Sequence, residues 1–388
     1  RKKGNLKKIY FVTANDLTYD QRMIRICRSM ASYGYAVVLL GVKQQHSIPL
    51  IKESFDQRRL RSIFSKGKLF YFELNIRLFF FLLFTKTDLI CAVDLDTIMP
   101  CLVISHLKGT KRVYDAHELF SEMKEVISRP MIKKAWRMIE KISVPKFKNG
   151  YTVSKSIAEE FLSRYGVKYE VIRNLPLLLK KNVDDKKANV ITGVNMVTVP
   201  GMPSWINTDR FILYQGAVNH ARGLENLIAA MRKISAKLLI CGDGNLMSYC
   251  QNLSEQYKLH DKIFFMGRVE PGSLYEITCR AYIGINLVEP YGLNQYYSLA
   301  NKFFDYMHAE VPQLTMDFPE YRKINDEYRI AVLIDETTEK KIVSALNNLL
   351  QDNVLYQTLQ ENCRRARLKY NWEEEQKKLL GFYQKILS

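Results

Sequence analysis

The sequence predicts an α/β protein built from two parallel, doubly wound halves in tandem, and three observations predict it. Short, nearly continuous apolar runs alternate with helical patterns along most of the chain, the mark of parallel strands covered on both faces. The series breaks once, between residues 181 and 208, and then begins again. The 388 residues are enough for two domains of roughly 100 to 200 residues each.

The first half, residues 1–180, opens with IYFVTA (9–14), a helical face of Met23, Ile24, Cys27 and Met30, and YAVVLLGV (35–42). Together they make a βαβ unit. LICAV (89–93), KRVYDA (111–116), YTVS (151–154) and YEVIRN (169–174) continue it. Residues 181–208 thin out into KKNVDDKKAN and VPGMPSWINT, whose charges, prolines and glycines suit an interdomain connection. The second half, residues 209–370, restarts with FILYQG (211–216) and a helix LENLIAAMRKI, then KLLICGDG (237–244) and a helix MSYCQNLSEQY. KIFFMGRV (262–269), AYIGINLV (281–288) and VPQLTMD (311–317) follow. Two Rossmann-like domains are the simplest architecture. In the tail, residues 371–388, Leu379, Leu380, Tyr383, Ile386 and Leu387 share one helical face that has to pack against something.

Composition narrows the partners. Lys and Arg exceed Asp and Glu by 58 to 40, a net charge of +18, which draws the chain to something anionic: nucleic acid, a phosphorylated small molecule or an acidic membrane face. The seven cysteines form no CxxC pair, so neither a disulfide framework nor a zinc site is indicated and a reducing cytosol fits. RKKGNLKK passes straight into IYFVTAN without the apolar core of a secretion signal. The stretch 69–84, LFYFELNIRLFFFLLF, contains Glu73 and Arg77 and falls short of the roughly 20 apolar residues of a spanning helix. Residues 76–84 are expected to be a core helix feeding LICAV, and the basic flank Arg58 to Lys68 is the better candidate for touching anionic lipid.

In doubly wound sheets ligands sit beyond the carboxyl ends of the strands. The residues there are Thr13 to Arg22, Asp115-Ala116-His117-Glu118, Gly216 to Asn219, Gly242-Asp243-Gly244, Gly267-Arg268-Val269 and Glu289-Pro290-Tyr291-Gly292. Two cations stand out. Arg222 precedes a helix beginning near Leu224, and Lys302 follows Ser298-Leu299-Ala300-Asn301 at another helix start. Helix beginnings present free N–H groups and a positive dipole end, so an ammonium and a guanidinium beside two of them suit a diphosphate.

The pieces VYDAHELF, YQGAVNHARGLENLIAAM, LLICGDGN, FFMGRV, SLANKFFDYMHAEVP and YNWEEEQKKLLGFY, in this order and covering nearly the whole chain, resemble a GT-B glycosyltransferase of family 4. The resemblance implies two Rossmann-like domains facing each other across a cleft, with the C-terminal helix packed back on the N-terminal domain. It implies acceptor binding by the first domain and donor binding by the second, and retaining transfer of a sugar from a UDP- or GDP-type nucleotide sugar, in surface polysaccharide or glycolipid synthesis. It places Lys302 and Arg222 on the donor diphosphate, His117 at the reacting centre and Asp305 on the ribose hydroxyls, where the family usually has Glu. Gly216, Asn219, Gly267, Arg268, Glu289, Ser298, Leu299 and Asn301 would border the donor. Asn15, Tyr19, Arg22 and Glu118 are the acceptor-side candidates. No metal or other cofactor is expected where two cations serve, and the expected location is cytoplasmic, peripheral on the inner face of the membrane.

Three positions depart from the family pattern: TANDLTYDQR lacks the glycine-rich loop after the first strand, Tyr297 stands where an acid is usual, and Glu310 replaces the usual glycine before Pro312. Asp94-Leu95-Asp96 is the runner-up metal site, although its place after LICAV suits a helix cap or loop end. The six histidines (46, 106, 117, 220, 260, 308) form no HExxH and no close pair, which argues against a zinc hydrolase. A non-hydrolysing nucleotide-sugar 2-epimerase shares the architecture and is one alternative. A non-catalytic anion- or nucleic-acid-binding protein is the other, but the positive charge is dispersed and no nucleic-acid module is recognisable.

Overall fold

A computed structural model describes residues 6–18, 20–45, 47–178 and 201–388. The chain divides into two compact units. One gathers Arg1–Asn174, Gly292–Asn294 and Glu374–Ser388; the other holds Leu175–Tyr291 and Gln295–Glu373.

The first unit is a seven-stranded, wholly parallel sheet. Its strands are β1 (Lys8–Val12), β2 (Ala36–Lys43), β3 (Asp56–Arg61), β4 (Leu89–Val93), β5 (Lys111–Ala116), β6 (Gly150–Thr152) and β7 (Glu170–Val171). They lie in the order β3-β2-β1-β4-β5-β6-β7, with Val12 opposite Leu40 and Phe11 opposite Cys91. The helix α1 (Gln21–Ser32) starts at Asp20, whose carboxylate accepts the Met23 N–H at 3.1 Å. The edge strand β3, DQRRLR, is charged and paired only on its β2 side, so part of the basic flank foreseen as a lipid contact is a strand.

The helix α2 (Gly67–Leu83) is only half a core helix: Phe70, Leu74, Leu78 and Leu82 are buried, whereas Ile76 and Phe80 are exposed. The helix α3 (Ile98–Leu107) packs beside it, and Lys108 just beyond α3 donates to Leu82 O at 2.7 Å, satisfying a carbonyl at the end of α2. No helix among the described residues is long and apolar enough to cross a membrane.

The C-terminal helix Trp372–Leu387 returns to this unit, as expected. Leu379 and Tyr383 are fully buried. Tyr383 meets Phe11 and Tyr151 edge-on, with ring centres 5.8 and 6.2 Å apart, and its hydroxyl lies 3.3 Å from that of Tyr151. Each such aromatic pair adds about 1 kcal/mol beyond the area it buries.

The second unit is a six-stranded parallel sheet of β8 (Phe211–Gln215), β9 (Lys237–Cys241), β10 (Ile263–Gly267), β11 (Ile283–Asn286), β12 (Gln313–Met316) and β13 (Ala331–Ile334). Their order is β10-β9-β8-β11-β12-β13. The inner strands β8, β9, β11 and β12 are buried because helices cover them on both faces, and the edge strands β10 and β13 are partly buried. One core holds Ile212, Leu224, Leu238, Phe303 and Leu346; the other holds Phe211, Leu213, Leu239 and Tyr306.

Candidate functional site

In the second unit the carboxyl ends of β8, β9 and β10 are stepped. Gly216 N–H donates to Cys241 O at 2.9 Å, and Gly242 N–H to Gly267 O at 2.7 Å. All three glycines have positive φ (+123°, +154° and +69°), which a residue without Cβ adopts freely. At Gly242 a Cβ would fall 1.8 Å from Gly216 O, and at Gly244 one would fall 2.3 Å from Asn219 Oδ1. The turns are therefore nested. Asn219 braces them, its Oδ1 accepting the Asn245 N–H at 3.1 Å.

Lys302 is the second residue of the helix Asn301–His308. Its side chain folds over the Tyr214 ring, with Nζ 3.9 Å from the ring centre. A Cβ at Gly216 would sit 3.3 Å from that Nζ, so the absence of one leaves the ammonium room. Nζ is shielded from water and has no hydrogen-bond partner among the described residues. Burial depresses its pKa, the nearby Arg222 charge depresses it further, and Asp305 only partly opposes them, so that it falls to about 7. Two cations thus share one place without a carboxylate bound to the ammonium. Such an arrangement suits an anion.

The other predicted residues of this unit are held in different ways. Arg222 stands between Ala221 and Gly223, both with positive φ, just before the helix Leu224–Ala230. Asp305 accepts from Gln215 Nε2 at 3.0 Å. Glu289 donates its backbone N–H to Ala221 O at 3.0 Å, tying its segment to the Arg222 turn. Ser298 turns its hydroxyl to Gln295 O at 2.8 Å, Leu299 packs against the core, and Asn301 is exposed at the helix start. The exposed Arg268 points its Nε at Asp243 Oδ2, 3.3 Å away.

In the first unit His117, just past β5, lies in a buried charge cluster. Its Nδ1 is 3.3 Å from Asp94 Oδ2 and its Nε2 is 3.4 Å from Asp115 Oδ2. Its backbone N–H donates to Asp94 Oδ1 at 2.9 Å. Arg22, itself buried, donates from Nη2 to Asp115 Oδ1 at 2.6 Å and points Nε at His117 Nε2. Two carboxylates against one guanidinium leave the cluster one positive charge short of neutrality. Burial and Arg22 press the imidazolium down, but Asp115 and Asp94 outweigh them and raise its pKa to about 10. Burial works against the Asp115 carboxylate, and the Arg22 and His117 charges still hold it below the ordinary range.

The DxD stretch serves this cluster. Asp94 has φ +57° and turns its carboxylate to His117 rather than to a helix start. Burial, with the Asp94 charge beside it, pushes the Asp96 carboxyl well up, towards the neutral form. Among the described residues no group of three or more His, Cys, Asp and Glu side chains is placed to hold a metal ion. Asn15 donates from Nδ2 to Asp20 Oδ2 at 3.0 Å, and it lines a cavity of about 320 Å³ with Asp96 and Tyr71. Glu118 is half-buried beside the cluster, and Tyr19 lies outside the described residues.

Sequence reasoning left out Tyr214, Gln215 and Asp115 as site residues, and weighed Asp94 only as part of a runner-up metal site, not as a partner of His117. For Asp115 a signal existed: it stands two residues before His117, and strand periodicity puts such residues on one side. The ring of Tyr214, inside the apolar run FILYQ, gave none.

Residues 203–366 match the family model described as Glycosyl transferases group 1. A 178-residue stretch is 29% identical to an uncharacterised glycosyltransferase of Methanocaldococcus jannaschii, covering 41% of this chain and 42% of that relative's length. Among solved structures, sucrose-phosphate synthase from Thermosynechococcus elongatus is similar with a TM-score of 0.77 at 17% identity, covering 98% of each chain. HepE from Anabaena, solved in complex with UDP and glucose, is similar with a TM-score of 0.71 at 12% identity, covering 97% of this chain and 99% of that one. The two parallel-sheet domains have the GT-B fold.

Proposed function

Because residues 203–366 form a glycosyl transferases group 1 domain on a GT-B scaffold, we propose that the protein moves a sugar from a nucleoside-diphosphate sugar to a hydroxyl-bearing acceptor. The observation that carries this reading is the Lys302 ammonium, shielded from water, unpartnered and beside Arg222. A diphosphate supplies the missing negative charge, and its departure is the step that needs neutralising. Lys302 acts as a point charge and Arg222 as a forked donor. Asp305, held by Gln215, is a fixed acceptor for ribose hydroxyls. In the first unit the cluster of Arg22, Asp94, Asp115 and His117 fixes one imidazole orientation for the acceptor-side chemistry.

The finer reading is a retaining enzyme of family 4 in which the departing phosphate oxygen takes the acceptor's proton, so that positioning and charge stabilisation are the protein's share. The two cations supply the charge a metal ion would otherwise bring. UDP is the first nucleotide to test, since the similar HepE has been solved with UDP and glucose. Surface polysaccharide or glycolipid synthesis is the proposed setting. The group 1 match favours this reading over an epimerase or a nucleic-acid-binding protein.

A thermal-shift panel of UDP, GDP and ADP, each free and as its sugar conjugate, tests the reading, because a ligand of the folded state raises the apparent stability. One nucleotide series is expected to stabilise the wild type, and Lys302→Met to remove most of that shift. An equal shift in the variant would count against the assignment.

A further inference from the structure

The helix α2 carries apolar side chains round its whole circumference. Phe70, Leu74, Leu78 and Leu82 face the unit's interior. On the opposite side Leu69, Phe72, Ile76 and Phe80 repeat at helical spacing and Phe84 continues the stripe; all five are exposed, Phe72 at 67% and Phe84 at 84%. A helix apolar all round belongs in a core or in lipid, and contiguous exposed patches of this kind mark interaction sites. Water is not its natural neighbour.

The surroundings extend the stripe. Glu73 accepts the backbone N–H groups of Ile63 at 2.9 Å and Phe64 at 3.0 Å and the Ser62 hydroxyl at 3.0 Å, which holds the exposed Ile63 and Phe64 side chains beside the helix. The helix Pro130–Ser143, whose Trp136 ring meets Tyr71 of α2 at 5.5 Å, also leaves Met131, Met138 and Ile142 exposed.

Charge distinguishes the occupants. Residues 57–87 contain seven cations (Arg58, Arg59, Arg61, Lys66, Lys68, Arg77 and Lys86) and one acid, Glu73. That acid is turned inward, to Arg77 and to the loop it holds. Lys66, Lys68 and Lys86 are exposed around the stripe. An apolar stripe rimmed by uncompensated ammonium groups matches the boundary between phosphate headgroups and acyl chains. A protein surface would need a matching acidic rim around an apolar groove.

We infer that this face of the first unit docks on an anionic lipid bilayer, with Phe72, Ile76 and Phe80 at the acyl boundary and Lys66, Lys68 and Lys86 among the headgroups. The α2 helix then lies on the membrane and does not cross it.

Flotation of the full chain with vesicles tests this, and it reads out independently of donor binding. The wild type is expected to float with equimolar phosphatidylcholine and phosphatidylglycerol, to stay behind with phosphatidylcholine alone, and to bind less as salt is raised. The pair Phe72→Ser and Phe80→Ser is expected to weaken binding about tenfold or more. Should that pair misfold, Phe80→Trp decides: it keeps the apolar face, and brominated acyl chains are expected to quench the added fluorescence relative to wild type. No flotation together with no added quenching would overturn the inference. So would a monomer–dimer equilibrium abolished by the serine pair without any vesicle binding, which would assign the face to a second copy of the chain.

Discussion

The ammonium of Lys302 lies 3.9 Å above the centre of the Tyr214 ring. A ring face attracts a cation yet gives it no hydrogen bond, so the lysine is held in place with its donors free for a ligand. The price of that readiness is a depressed pKa, about 7.

Anion binding should therefore take up a proton. With the folded-state pKa below the unfolded value of 10.5, the buried charged lysine opposes stability: stability with respect to this group is full above pH 10.5, where it is neutral in both states, and is lost as pH falls through about 7, where the charge must be carried in the folded protein. An anion favours the charged form, so affinity for a nucleotide sugar, whose diphosphate has no ionisation near neutrality, is expected to fall about tenfold per pH unit above 7. Calorimetry in buffers of different ionisation enthalpy should show this proton uptake in wild type and not in Lys302→Met. Equal uptake in both would contradict the depressed lysine.

The glycine turns offer a graded test. Gly216→Ala places a Cβ 3.3 Å from Lys302 Nζ, a movable chain end, at φ +123°. It should cost about 1 to 2 kcal/mol and weaken donor binding about tenfold by displacing the ammonium. Gly242→Ala places its Cβ 1.8 Å from the Gly216 carbonyl oxygen, which is backbone, and should cost about 3 kcal/mol or more. Urea unfolding ranks them; a milder effect at Gly242 than at Gly216 would refute the nested-turn geometry.

Much of this was legible in the sequence because buried parallel strands announce themselves as continuous apolar runs: LICAV coincides with β4, residue for residue. The edges were not. The strand β3 is DQRRLR, charged and paired on one side only, and β13 is the four-residue AVLI, so neither has the length or pattern that marks a buried strand. Lys302 and Arg222 could be singled out because cations at helix starts have a physical purpose. Tyr214 and Gln215 could not, since in a strand that is buried throughout nothing in the pattern says which side chain turns towards a ligand. The outer stripe of α2 was hidden for the opposite reason: an apolar sequence does not say which of its faces is left bare.

His117 provides a second pH test with the opposite sign. Its folded pKa of about 10 exceeds the ordinary 6.5, so its stabilising contribution is fully present below pH 6.5 and is lost as pH rises through about 10. The stability difference between wild type and His117→Gln should shrink between pH 6.5 and 10, by at most about 1.4 kcal/mol per pH unit. Urea midpoints across that range check it, and a pH-independent difference would show that the imidazole is not held in the charged form.

Glu310 separates backbone strain from charge pairing. It has φ +62°, a conformation that costs a side-chain-bearing residue about 1 to 2 kcal/mol and glycine almost nothing. Its buried carboxylate offsets this, meeting Arg364 at 3.0 Å and Arg367 at 3.1 Å. Glu310→Ala loses the pairing and keeps the strain, whereas Glu310→Gly loses the pairing and relieves the strain. Both variants should be less stable than wild type, because Arg367 is largely buried and would be left without its carboxylate. The glycine variant should be the milder by about 1 kcal/mol, or several degrees in Tm. A glycine variant more stable than wild type would mean that the two arginines contribute less than the turn costs; alanine and glycine variants of equal stability would mean that the backbone there is unstrained.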